Sequence, residues 1–85
     1  MFLHLGNDIV IRESDIIGIF DMENTTTSKQ SRNFLASAEK NGEVINVSYE
    51  LPKTFVVCQD GERTTVYISP ISSATLLKRS KTLSL

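Results

Sequence analysis

Cys58 is the only cysteine in a chain of 85 residues, and that pairing limits what can hold the fold together. A domain this short buries only about 60% of the surface its unfolded form exposes, so its own core is marginal. Domains of this size commonly add disulfides, a metal or association. A lone cysteine excludes an internal disulfide. With one histidine beside it, His4, the chain lacks the ligands for a zinc site. Association between chains is the support left open. Hydrophobic residues make up 40% of the sequence, which is globular composition. The length fits one domain over residues 1–80, with 81–85 a frayed tail.

Local patterning points to an α+β fold of small antiparallel or mixed sheets of short strands. Asp60-Gly61 is a strong hairpin signal between the apolar, β-branched runs 54–59 and 63–69. Upstream, residues 2–5, 8–12 and 15–20 read as two or three short strands joined by tight turns, with Gly6-Asn7 as punctuation. Ile16-Ile17-Gly18-Ile19-Phe20 is apolar nearly throughout, so it is expected to be covered on both faces, by its own core or by a neighbouring chain. Thr27 and Gln30 form a capping-box pattern for a central helix over about 28–40. Ser31, Phe34, Leu35 and Ala38 fall on one face of it, and Asn41-Gly42 ends it. Residues 44–49 alternate as a half-buried strand, and Pro52 makes 50–53 a turn or bulge. A short C-terminal helix spans about 72–79, capped by Ser72 or Ser73 and anchored by Leu76 and Leu77.

Nine Lys and Arg stand against ten Asp and Glu, a formal net charge of −1. That excludes a protein that coats nucleic acid by bulk charge. The charges are segregated: residues 1–24 hold one Arg and five acids, while 63–85 hold four cations and no acid. Such ends are solvated, contact an anionic partner, or meet head to tail between neighbouring subunits. There is no signal-peptide pattern and no apolar run of the roughly 18 residues a membrane span needs. The expected location is cytoplasmic, with no membrane partner.

No catalytic apparatus is apparent, and an enzyme is not expected. His4 has no second histidine to work with, and Cys58 ends a core-strand pattern as a buried structural thiol. Asp8, Glu13 and Asp15 flank strands and turns as solvated acids. The four glycines are dispersed, so no phosphate loop is present, and no small-molecule substrate or cofactor is implied. The aromatics are not interleaved with Lys or Arg as in single-strand binders. The segment most suited to a partner is Tyr49-Glu50-Leu51-Pro52-Lys53, a rim loop or an ordinary β-turn. One Lys53 per chain becomes a row of cations across a ring of subunits.

Four stretches carry a resemblance: Phe2-Leu3-His4-Leu5-Gly6, Ile16-Ile17-Gly18-Ile19-Phe20-Asp21, Val47-Ser48-Tyr49-Glu50-Leu51-Pro52-Lys53 and Tyr67-Ile68-Ser69-Pro70-Ile71-Ser72. Over nearly the whole chain, the sequence resembles the RemA/RemB family of extracellular-matrix (biofilm) regulators of Gram-positive spore-forming bacteria. The resemblance implies a DNA-binding transcription regulator that assembles into a homo-oligomeric ring, with double-stranded DNA following its positive surface. The arginines that the RemA branch presents to DNA fall at Asp15, Leu51 and Pro52 here, so those roles do not carry over. Arg12 and Lys53 are the expected substitutes, with Arg32 and Lys29 behind them. The alternative is a scaffold of the same family that has lost direct DNA binding.

Overall fold

In the computed structural model, residues 1–22 and 29–80 are described. The expected loop 24–28, the Thr27 cap, Ser28 and the tail 81–85 fall outside them. Strands β1 (Phe2–Gly6) and β2 (Ile9–Arg12) are followed by a 3-10 turn (Glu13–Asp15) and β3 (Ile16–Asp21). Helix α1 (Lys29–Lys40), β4 (Val44–Asn46), β5 (Thr54–Asp60), β6 (Arg63–Ser69) and helix α2 (Ser73–Arg79) complete the order. This is the α+β class that the patterning predicts.

The β5–β6 hairpin forms the centre of a four-stranded sheet ordered β3-β5-β6-β4, in which β4 alone runs parallel to its neighbour. Its turn is Gly61-Glu62, one residue later than the Asp60-Gly61 signal, because Asp60 still pairs with Arg63. Within this turn only Gly61 has positive φ (64°), the pattern of a II′ turn with Gly at the first central position. A separate antiparallel pair, β1–β2, turns through Gly6 and Asn7, both at positive φ.

Alternation along β5 divides the core. Phe55 and Val57 meet Ala38 and Leu35 of α1, whereas Val56 and Cys58 meet Leu3, Leu5 and Ile11 of the β1–β2 pair and Leu76 of α2. The sheet is thus covered by α1 on one face and by β1–β2 with α2 on the other, as β5, buried from Thr54 to Cys58, requires. Buried hydroxyls join the layers. The Ser69 hydroxyl donates to the Leu5 carbonyl (2.6 Å), and that of Thr54 donates to the Ile71 carbonyl (3.0 Å).

Five expectations are corrected. The strand predicted over 44–49 stops at Asn46. Val47 donates the last bond to Ile68; the next β6 position facing β4 is Pro70, which has no N–H to donate, and the Val47 carbonyl accepts instead from the Asn7 side chain. Leu77 is exposed, because Leu76 alone points at the sheet. Phe34 is also exposed, lying at the margin of the face on which Ala38 is buried. Of the two covers expected for strand β3, its own core and a neighbouring chain, the first does not hold: β3 is a sheet edge, and Ile17 and Phe20 reach solvent. Glu13 is buried rather than solvated, since the 3-10 turn directs it inward, where the Ser80 hydroxyl donates to its carboxylate.

Candidate nucleic-acid interface

Phosphate recognition needs cations that are exposed and not already neutralised. Arg12, at the end of β2, is exposed but paired. Its Nε donates to Asp15 Oδ2 (3.1 Å) and one Nη to Asp15 Oδ1 (3.3 Å), a bidentate fork. Asp60 of the hairpin turn approaches the same guanidinium at 3.7 Å. The 3-10 turn positions Asp15 three residues after Arg12, which closes this pair locally. Asp15 therefore neutralises Arg12, one of the cations expected to meet phosphate.

Lys53 is placed differently. Its backbone N–H donates to the Ser69 carbonyl, and its carbonyl accepts from Met22, each at 2.9 Å. The base of the loop between β4 and β5 is therefore fixed while the Lys53 side chain stays exposed. Lys53 borders a small recess with Asp21, Ser72 and Ser73. Lys29 and Arg32 are exposed on α1, on the opposite side of the sheet from Arg12. Among the described residues, the side chains of Lys53, Lys29 and Arg32 make no hydrogen bond or ion pair. Arg12 and Lys53 lie at opposite ends of β5, whose seven residues span about 20 Å. The four predicted site residues thus form no single cluster within one chain.

A polar cleft of ≈ 300 Å³ beside Arg12 is lined by Asp15, Asp60, Arg63, Tyr67 and Cys58, among others. Burial, then the nearby Asp15 charge, pushes the Cys58 thiol up to about 11. Burial, followed by the Cys58 and Asp15 charges, also raises Tyr67. At neutral pH the thiol is protonated, which fits a packed side chain rather than a nucleophile. His4 Nε2 bonds the Asn7 carbonyl at 2.7 Å and so ties down the β1–β2 turn. Among the described residues, no three His, Cys, Asp or Glu side chains gather to hold a metal ion. Among the described residues, no helix is long and apolar enough to cross a membrane.

Two surface features were not legible in the sequence. The first is the Asp15–Arg12–Asp60 pairing: Asp15 was open to a spacing argument, whereas Asp60 reaches the site only through the hairpin. The second is an apolar groove between β3 and α1, lined by Ile17, Phe20 and Phe34 over Phe55 and Val57. The nearly continuous apolar run of β3 suggested a strand covered on both faces, and only the sheet order reveals an open edge.

Fold and surface define a small α+β domain whose exposed features include cations, a rim loop and an apolar groove. Comparison with protein families matches residues 2–79 to the RemA-like family, extracellular matrix regulatory protein A-like. The chain belongs to this family. It is also 38% identical over 81 residues, 95% of this chain and 91% of the relative, to "Extracellular matrix regulatory protein B" of Bacillus subtilis (strain 168).

Proposed function

We propose that this chain is a non-enzymatic cytoplasmic regulator of extracellular-matrix gene expression that binds double-stranded DNA as a ring-like homo-oligomer. The observation that carries the DNA contact is Lys53, an exposed cation on a rigid loop base with no carboxylate bonded to it. One such cation per chain is weak, but repetition around an assembly turns it into a multivalent backbone contact. Lys29 and Arg32 add a second basic strip on α1. Arg12 contributes little while Asp15 and Asp60 hold it.

An electrophoretic shift with promoter DNA at about 50 and 200 mM salt tests this, because phosphate contacts make affinity fall steeply across that range. Lys53→Ala is expected to abolish the low-salt shift and Arg12→Ala to leave it nearly unchanged. No shift at low salt from a folded oligomer sinks the DNA contact.

The sequestered Arg12, together with Leu51 and Pro52 in place of cations, supports a second function: an oligomeric protein-interaction scaffold. That function predicts a protein partner retained at high salt and no DNA retention at low salt.

A further inference from the structure

We infer that the apolar groove between β3 and α1 receives the tip of the 48–51 loop, Tyr49 and Leu51, from a second copy of this chain, in a head-to-tail contact. The inference rests on the homo-oligomeric part of the proposed function and names the surfaces that would build it.

The groove is a built feature. Its floor is the Phe20–Phe55 stack, with ring centroids 4.9 Å apart, flanked by Phe34 at 6.4 Å from Phe55. Gly18 permits it: a Cβ there would lie 2.7 Å from Phe20 Cε2 and Cζ, so the ring can lie against this position only because it is glycine. The register shift between Ile16 and Gly18 lies beside Ile17, whose side chain is 61% exposed. Phe20 and Phe34 remain 37% and 41% exposed around a groove of ≈ 280 Å³. Because β3 is a sheet edge, the groove is open from the side. An uncovered apolar edge of this kind is a site that natural proteins cover.

The same chain carries a matching protrusion. Tyr49 is 109% exposed and Leu51 80%, so neither rests on the body of its own molecule. The loop leaves from Val47, packed on the β1–β2 side of the sheet, whereas the groove opens on the α1 side. The protrusion therefore does not fill its own groove, and filling it takes another copy. Because loop and groove are different surfaces, the contact is heterologous, and repetition closes a ring or continues as an open chain.

The areas fit. With a large side chain taken at about 200 Å², the exposed parts of Ile17, Phe20, Phe34, Tyr49 and Leu51 come to roughly 600 Å². A specific interface at the lower limit of about 1,200 Å² carries on the order of 700 Å² of apolar area. One loop in one groove supplies most of that. Lys53, at the base of the loop rather than its tip, stays outside the contact.

The test uses native mass spectrometry of the full chain at about 10 μM, with an Ile17→Glu, Phe34→Glu groove variant and a Tyr49→Ser, Leu51→Ser loop variant. The wild type is expected as an oligomer and each variant as a 9.5 kDa monomer. An equimolar mixture of the two variants is expected to give a dimer of one chain each, because one intact loop meets one intact groove. Should the groove variant lose its fold, judged by circular dichroism, the loop variant decides the matter, since its two side chains pack on nothing in the chain. A loop variant that keeps the wild-type mass overturns this contact and leaves self-association standing. A folded mixture that stays monomeric overturns the pairing. A monomeric wild type overturns both the contact and the oligomer.

Discussion

Arg12 shows how one residue's neighbours decide its use. A guanidinium gripped bidentately by Asp15 and faced by Asp60 offers phosphate only what remains after those carboxylates are displaced. Asp15→Asn combined with Asp60→Asn removes both competitors and two negative charges. Retention of promoter DNA at low salt is expected to rise several-fold, and the added Arg12→Ala change is expected to cancel the part of that gain due to Arg12. A gain untouched by Arg12→Ala would mean that only bulk charge had changed. Cys58 gives a second prediction at this scale. Its folded value of about 11 lies above the ordinary thiol value of about 9, so folding favours the neutral thiol. The stability it supports is fully present below pH 9 and is lost as pH rises through 11. Denaturant unfolding of the wild type should therefore weaken between pH 8.5 and 11 more than that of Cys58→Val, the difference being on the order of 2 kcal/mol.

Elements differ in how far the sequence alone defines them, and the reason is the range of the interactions involved. Helix α2 was legible to within a residue, with the cap left between Ser72 and Ser73, because that cap is local: Ser72 accepts from the Thr75 N–H at 3.2 Å. Ser72→Ala is expected to lower stability by about 1 kcal/mol in denaturant unfolding. The β5–β6 hairpin was legible to within one residue for the same reason. Strand β4 was read too long because its end depends on its parallel partner reaching Pro70 and on Asn7 bonding the Val47 carbonyl, a tertiary matter. The buried state of Glu13 was illegible, since its partner Ser80 lies 67 residues away. Of the four candidate site residues, sequence gave identity and exposure but not company. Nothing local reveals that Asp60 faces Arg12, or that Arg12 and Lys53 sit at opposite ends of β5. Gly18 belongs here too. Gly18→Ala must displace the Phe20 ring, and because that ring is partly exposed the cost is expected to be only about 1 kcal/mol.

At the scale of the whole molecule, the two charged ends of the sequence approach each other within one chain. Arg79 donates to the His4 carbonyl at 3.4 Å, and Arg63 lines the same cleft as Asp15. The acidic N-terminal strands and the basic C-terminal segment therefore lie beside each other within one chain. Arg63, Lys78 and Arg79 nevertheless stay exposed and form no ion pair among the described residues, so charge and the apolar loop and groove are competing bases for assembly. The two kinds of contact respond oppositely to salt. Charge contacts on an exposed surface are screened within about 8 Å at physiological ionic strength, whereas apolar burial persists or strengthens. With the loop seated in the groove, raising NaCl from about 50 to 500 mM is therefore expected to leave the oligomer's mass unchanged in light scattering while DNA retention falls by orders of magnitude. Lys53→Ala should flatten the salt slope of DNA binding in proportion to the number of copies touching the duplex, without altering the mass. If the mass itself falls with salt, assembly is charge-driven, and the acidic and basic ends are the contact after all.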